Sequence, residues 1–164
     1  MPGILPVSVA FTKEGDAEAA AADLPDRPVS PHPNLVTTSG LAQLDAELVA
    51  ARAAYGAAQA GGGIAADRTA MARATRDLRY WSARRGSAQL VEATDCAAVR
   101  FGCTVTFERA DGTTATYRIT GEDEADPAAG RIAYVAPAAR ALLGKGVGDV
   151  AVIAGVEVEI VGIG

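Results

Sequence analysis

The segment from Gly121 to Asp149 constrains the fold of this chain more than any other. It opens with an acidic turn and continues with Arg131–Val135, whose Ile, Tyr and Val composition is typical of a strand. Pro137 follows at a position that suits the first turn of a helix, because proline fixes φ and needs no N–H there. Gly144 is then placed to end the helix in the left-handed conformation. The segment predicts a short strand followed by a short helix.

Period-two alternation on either side of this segment predicts a sheet. Phe101–Arg109 places apolar side chains at every second position, and Thr114–Thr120 does the same after the turn signal Asp111–Gly112. Val150–Ala154 and Val156–Ile163 predict two further strands. Alternation of this kind favours an antiparallel sheet with one buried face, covered by the helix that starts at Pro137.

A helical hairpin is predicted before the sheet. Thr37–Ser39 offers an N-cap, and three consecutive glycines at 61–63 end the first helix. A second helix follows from about Ala66 to Gln89. Apolar residues recur at heptad spacing in the first helix at Leu41, Leu44, Leu48, Ala51, Tyr55 and Ala58, and in the second at Met71, Ala74, Leu78 and Trp81. The pattern predicts a short antiparallel coiled coil that projects; a two-helix cap packed on the sheet is the alternative.

Residues 1–36 are predicted to be a flexible arm, since residues 24–34 contain four prolines. The predicted boundaries are therefore 1–36 for the arm, 37–91 for the hairpin and 92–164 for the β domain. His32, the single histidine, is interpreted as a solvated loop residue. The N-terminus shows no signal-peptide pattern and no apolar run is long enough for a bilayer, so we expect a cytoplasmic protein without membrane contact.

Charge and cysteine content exclude several classes of site. The net charge is −5, and residues 91–164 hold six bases against eleven acids, which argues against direct nucleic-acid binding. Cys96 and Cys103 are expected to be reduced and to pack as small apolar residues. The acidic run Glu122–Asp126 lacks EF-hand spacing, so a solvated turn is expected there rather than a metal site. We expect no catalytic residue, metal or cofactor.

The segment from Gly121 resembles the C-terminal domain of the Gre-type transcription elongation factors, GreA and GreB. The residues that match the family pattern are Gly121, Asp123, Glu124, Ala125, Asp126, Pro137, Ala139, Arg140, Leu143, Gly144, Lys145, Gly148 and Asp149. The resemblance implies an α+β fold in which an N-terminal antiparallel helical hairpin precedes an FKBP-like antiparallel sheet with one short helix.

The same resemblance implies a partner, RNA polymerase, contacted at the rim of its secondary channel by a monomer that meets nucleic acid only through the polymerase. Carried over by position, the docking residues are Val135, Ala136, Pro137, Arg140, Asp123, Glu124 and Asp126. Ala136 stands where the family has a capping serine, so the helix at Pro137 should lack a side-chain cap.

The hairpin tip departs from the family pattern. Cleavage factors of the family carry acidic residues there, whereas residues 57–66 read AAQAGGGIAA, with Gly61, Gly62 and Gly63 at the turn and Asp67 as the nearest carboxylate. The short hairpin resembles the nucleoside diphosphate kinase regulator group. We therefore expect a polymerase-binding elongation regulator that is not an enzyme and does not stimulate transcript cleavage. A genuine cleavage factor, a prolyl isomerase and a regulator that binds another protein through the arm are the alternatives.

Overall fold

The computed structural model describes residues 24–61 and 65–164, and of residues 65–67 only the backbone. The elements are β1 (Leu35–Val36), α1 (Thr38–Ala60), α2 (Ala65–Ser87), β2 (Gln89–Leu90), β3 (Thr104–Arg109), β4 (Thr114–Thr120), a 3₁₀ turn (Pro127–Ala129), β5 (Arg131–Ala133), α3 (Pro137–Leu142), β6 (Val150–Ile153) and β7 (Val156–Ile163). The chain divides into two compact units, Met1–Val29 with Glu47–Ala83 and Ser30–Ala46 with Arg84–Gly164, so the division crosses both long helices.

The heptad seam predicted for α1 is confirmed by burial. Leu44, Leu48 and Ala51 are buried, and Tyr55 and Ala58 are half-buried. Heptad spacing turns these side chains to one face of the helix, which is why they share the low exposure.

In the unit that contains Glu47–Ala83, α1 and α2 line a common open groove of about 620 Å³. Alanines make up most of its wall, among them Ala54 on α1 and Ala70 on α2. Since alanine side chains reach only a short way from the backbone, the two helices leave this space between them. Trp81 of α2 also lines this groove.

Residues 24–29 of the arm contact α2 inside this unit. The Arg27 guanidinium lies 3.7 Å from the centroid of the Tyr80 ring and 5.0 Å from that of Trp81. Asp26 pairs with Arg79 at 3.3 Å, and Arg27 lies 3.7 Å from Asp77. Cation–π and ionic contacts therefore hold this part of the arm along the helix.

Two short strands show that the hairpin is antiparallel at its base. β1, just before α1, pairs in parallel with β2, just after α2, through Leu35↔Gln89 and Val36↔Leu90. Asp45 of α1 also forms an ion pair with Arg85 of α2. The beginning of α1 thus lies beside the end of α2.

The main sheet has the strand order β5-β4-β3-β7-β6. The predicted turn at Asp111–Gly112 is confirmed, with Gly112 at φ 81° between β3 and β4. Neighbouring strands are antiparallel except for β5, which pairs in parallel with β4. The predicted antiparallel arrangement is confirmed for β3, β4, β6 and β7. β5 runs parallel to β4, because the connection from 121 to 130 returns the chain to the same direction.

One face of the sheet forms the core together with α3. Burial follows the predicted alternation, and Ala139 and Leu142 of α3 are fully buried against the strands. The buried cluster consists of Val99, Val105, Phe107, Ile119, Ile132, Ala139, Leu142, Ala151, Val158 and Ile160. The prediction that the helix starting at Pro137 covers the sheet is confirmed.

Cys96 and Cys103 form a disulfide, with Cα atoms 6.0 Å apart. The prediction of two reduced, apolar cysteines is therefore wrong. Cys103 leads into β3 and is fully buried, and the irregular segment before it folds back so that Cys96 meets it. Sequence spacing alone gave no signal for that fold-back.

Candidate functional site

The acidic turn after β4 is folded inward. Glu124 is only 5% exposed, and its carboxylate accepts hydrogen bonds from the Thr37 N–H at 3.0 Å, the Thr37 hydroxyl at 2.6 Å and the Gly121 N–H at 3.0 Å. The predicted solvated acidic turn is wrong here, because a buried carboxylate with these donors is satisfied inside the protein. Glu124 therefore has a folding role.

The donors to Glu124 lie at the start of α1. Thr37 is the N-cap predicted from the sequence, since its hydroxyl accepts from the Gly40 N–H at 3.1 Å. A carboxylate at a helix N-terminus is also favoured by the helix dipole. Glu124 and Thr37 together join α1 to the turn that follows β4.

Two glycines make room for this contact. A Cβ on Gly40 would lie 2.5 Å from the Glu124 carboxyl carbon, and a Cβ on Gly121 would lie 2.4 Å from the Leu35 carbonyl oxygen. Neither position has space for a side chain. The close approach of α1 to the acidic turn thus requires glycine on both sides.

A buried arginine neutralises two further acids of this turn, Glu122 and Asp123. Arg84 is 2% exposed, and its Nε donates to Asp123 at 2.5 Å while a terminal nitrogen lies 3.8 Å from Glu122. The Asp123 side chain is itself only 10% exposed. Burying such charges is tolerated only when they are paired, so Arg84 explains why the acids can fold inward.

Tyr134, which follows β5, contacts Pro33 and Phe101. Its hydroxyl donates to the Pro33 carbonyl at 2.6 Å, and its ring meets Phe101 edge-on with centroids 5.8 Å apart. Burial raises the pKa of the Tyr134 phenol above its ordinary value, the Glu122 carboxylate raises it further, and Arg84 opposes both effects. Tyr134 therefore ties the residues before β1 to the end of β5.

Val135 and Ala136 precede α3, and Pro137–Arg140 form its first turn, in which Ala139 is buried. Ala136 is the N-cap at φ −64° and ψ 146° and makes no side-chain cap bond, as predicted, and Pro137 is the first helical residue. Pro137 and Arg140 are exposed, whereas Val135 and Ala136 are half-buried. Within the described residues, Arg140 has no ion pair and no side-chain hydrogen bond.

The predicted docking residues thus separate into two groups. Val135, Ala136, Pro137 and Arg140 lie at the start of α3, where Pro137 and Arg140 are exposed. Asp123 and Glu124 point into the fold and are engaged there. Asp126 is 48% exposed, accepts from the Ala129 N–H at 3.3 Å, and lies 3.5 Å from Arg131.

The predicted tip residues can be placed only in part. Gly61 follows the end of α1, whereas Gly62 and Gly63 lie outside the described residues, as does the side chain of Asp67. In the described part of the chain, no group of three or more His, Cys, Asp or Glu side chains could hold a metal ion. No described helix is long and apolar enough to cross a bilayer.

Residues 94–164 match the family model described as transcription elongation factor, GreA/GreB, C-term. Residues 94–164 are therefore similar to the GreA/GreB C-terminal domain. Among proteins named transcription elongation factor GreA, the relative from Anaeromyxobacter sp. (strain K) is 43% identical over 79 residues, which are 46% of each chain. The relative from Methylococcus capsulatus is 41% identical over 80 residues, which are 46% of this chain and 51% of that one.

The match to these GreA proteins spans about half of their length. The crystal structure of GreA factor homolog 1 from Thermus thermophilus is also similar, at 20% identity, with 81% of this chain and 99% of that chain covered and a TM-score of 0.40. The Gre-type resemblance stated for the C-terminal region is confirmed by the sequence matches.

Two important residues were missed from the sequence. The seam of α2, with spacing 3,4,3 from Met71 to Trp81, continues at Arg85 rather than at Arg84. The heptad pattern therefore held no signal that Arg84 would be the buried arginine. Gly40 lies in the first turn of a helix, where glycine is unfavourable unless a close contact requires it.

Proposed function

We propose that this chain is a transcription elongation regulator that binds RNA polymerase through its GreA/GreB-type C-terminal domain. The observation that carries this proposal is the match of residues 94–164 to that domain family. Related proteins are named for transcription elongation, and the matched residues include the whole sheet and α3. The short-hairpin subgroup remains a prediction.

Docking is proposed at the N-terminal half of α3. Pro137 fixes the start of the helix, and Arg140 lies exposed on its outer side. An exposed arginine on a rigid element can form two parallel hydrogen bonds with a partner carboxylate, so a carboxylate on the polymerase is the complementary group. The docking surface consists of Val135, Ala136, Pro137 and Arg140, with Asp126 as a further exposed candidate.

The decisive test compares two arginines that are both exposed in the same domain. Arg140→Glu should weaken binding to core RNA polymerase by at least about tenfold, because a favourable charge contact becomes a repulsive one. Arg100→Glu makes the same change of net charge between β2 and β3 and should leave affinity nearly unchanged. Equal effects of the two variants would contradict docking through α3, and no binding by the folded wild-type chain would contradict the proposed function.

Absence of cleavage stimulation is the second part of the proposal. The helices α1 and α2 each have 23 residues, which at 1.5 Å per residue gives arms of about 35 Å. The connection from 61 to 64 reads GGGI and holds no carboxylate. A tip without paired acids has no groups with which to hold a catalytic metal. The hairpin would therefore bind to the polymerase without stimulating transcript cleavage.

The arm is the alternative contact with a partner. Residues 24–29 are engaged with α2 through Arg27 and Asp26, and residues 1–23 lie outside the described residues. A chain that lacks residues 1–23 should keep its affinity for polymerase. Loss of binding on this truncation, with α3 intact, would favour the arm as the docking element.

A further inference from the structure

We propose that the free edge of β6 binds a basic, extended segment of a partner protein, which adds to the sheet as a further strand. This surface is separate from the α3 docking surface and does not depend on the proposed function. It consists of β6 and the outward side chains of β7 beside it.

The backbone of β6 presents unused hydrogen-bonding groups. Among the strands of the described residues, β6 is the last of the sheet and pairs with β7 alone, through Val150↔Glu159 and Val152↔Glu157. The Ile160 N–H donates to the Asp149 carbonyl at 2.9 Å, which makes position 149 a bonded position of this ladder. Because bonded and non-bonded positions alternate in antiparallel pairs, the N–H and C=O groups of Val150 and Val152 point away from β7.

Nothing in the described part of the chain covers these groups. No backbone bond joins Val150 or Val152 to a described segment outside the β6–β7 ladder. Natural sheets protect such edges with charges, prolines or bulges, and the sequence VAVI of β6 has none of these. The edge is therefore open and suited to strand addition.

The side chains beside the edge define the partner. Val150 is 52% exposed and Val152 56%, so the outer face offers apolar contacts. Directly across the ladder, Glu159 and Glu157 are exposed as well, and Glu159 lies opposite Glu108 on β3. Facing carboxylates repel each other, and lysine or arginine side chains of an incoming strand would relieve that repulsion.

These charges favour a basic segment over a second copy of the chain. A second β6 would bring its own Glu157 and Glu159 to the same face, and the chain carries a net charge of −5. Arg109 is the basic residue that borders this surface, and its guanidinium lies 5.6 Å from the Phe107 ring centroid, on the other face of the strand. Alternating valine-like and lysine-like side chains therefore complement the edge.

The test uses the full chain labelled with ¹⁵N and a short capped peptide of alternating lysine and valine. Saturating peptide should slow amide hydrogen exchange at Val150 and Val152 by at least about tenfold, since both N–H groups gain acceptors. A peptide in which proline replaces each valine keeps the charge but lacks the N–H groups of a strand, and should give no protection.

Charge is tested with matched substitutions. Glu157→Lys should lower the affinity for the lysine–valine peptide by about threefold or more. Glu92→Lys, on the segment between β2 and β3, should leave this affinity unchanged. Equal binding of a glutamate–valine peptide, or no protection with any peptide, would overturn the proposal. Slow exchange of the Val150 and Val152 amides without any peptide would overturn it too. If that protection rises with protein concentration, a second copy covers the edge; if it does not, the chain's own residues cover it.

Discussion

The Glu124 carboxyl carbon lies 2.5 Å from the point where a Cβ on Gly40 would stand. The first turn of α1 and the acidic turn after β4 are thus in direct contact at a position where any side chain on residue 40 would displace the Glu124 carboxylate. Residues 87 positions apart in sequence are also joined there, since the carboxylate of Glu124 accepts a hydrogen bond from the Thr37 N–H. This contact predicts that, of the helical glycines Gly40 and Gly86, Gly40 is the one needed for stability.

Gly40→Ala should destabilise the unit that contains the sheet by about 1–3 kcal/mol, because Glu124 must move away from its donors to admit the methyl group. Gly86→Ala is the matched control, since a Cβ on Gly86 meets nothing within 4 Å and alanine favours helix. Urea unfolding of both variants measures the difference. A loss in Gly86→Ala equal to that in Gly40→Ala would show that the contact is not the cause.

Arg84→Met should cost about 3–5 kcal/mol of unfolding free energy, because Asp123 and Glu122 would lose the buried charge that neutralises them. The neighbouring Arg85→Met removes a surface ion pair with Asp45, whose side chain is 54% exposed, and should cost less than about 1 kcal/mol. Chemical denaturation at one pH compares the two. Similar losses would mean that Arg84 contributes no more than an ordinary surface ion pair.

The non-local character of these contacts explains what the sequence could and could not predict. The hairpin turn at Gly112, the burial alternation of β3 and the start of α3 at Pro137 depend on residues close together in the chain, and they are confirmed. The inward fold of the acidic turn depends on Arg84, 39 residues before Asp123, and on Thr37, 87 residues before Glu124. Local patterns hold no information on such pairings.

The disulfide between Cys96 and Cys103 was not predicted for a related reason. The segment that brings Cys96 to Cys103 is irregular and has no periodic pattern. The docking residues divide in a similar way. All of them were carried over from the Gre-type resemblance, and the proline signal predicted only where α3 begins. That Glu124 is enclosed is shown only by the fold.

The phenol of Tyr134 should give the sheet-containing unit a stability that depends on pH. Its pKa is raised by burial above the ordinary 10.0, so the folded state favours the neutral form. The contribution is present in full below that ordinary value and is lost as pH rises through the folded-state value. Tyr134→Phe lacks both the ionisation and the bond to Pro33. The stability difference between wild type and Tyr134→Phe should be constant at neutral pH and shrink above about pH 10; a constant difference throughout would contradict the shift.

Reduction of the disulfide between Cys96 and Cys103 should lower thermal stability. A sequence separation of 7 closes a short loop, for which loop entropy predicts a loss of about 2–3 kcal/mol. Cys96→Ser should reproduce the loss without reductant, and adding dithiothreitol to this variant should change nothing more. If dithiothreitol leaves the wild-type melting curve in place, the bond does not contribute to stability.

We propose that the chain binds RNA polymerase without stimulating transcript cleavage. The most direct measurement follows transcript cleavage in a backtracked elongation complex at a protein concentration where binding of the wild type, and its loss in Arg140→Glu, have been established. We expect a cleavage rate no higher than that of polymerase alone, despite full occupancy by the wild type. A cleavage rate that rises with wild-type occupancy and stays at the basal level with Arg140→Glu would contradict it.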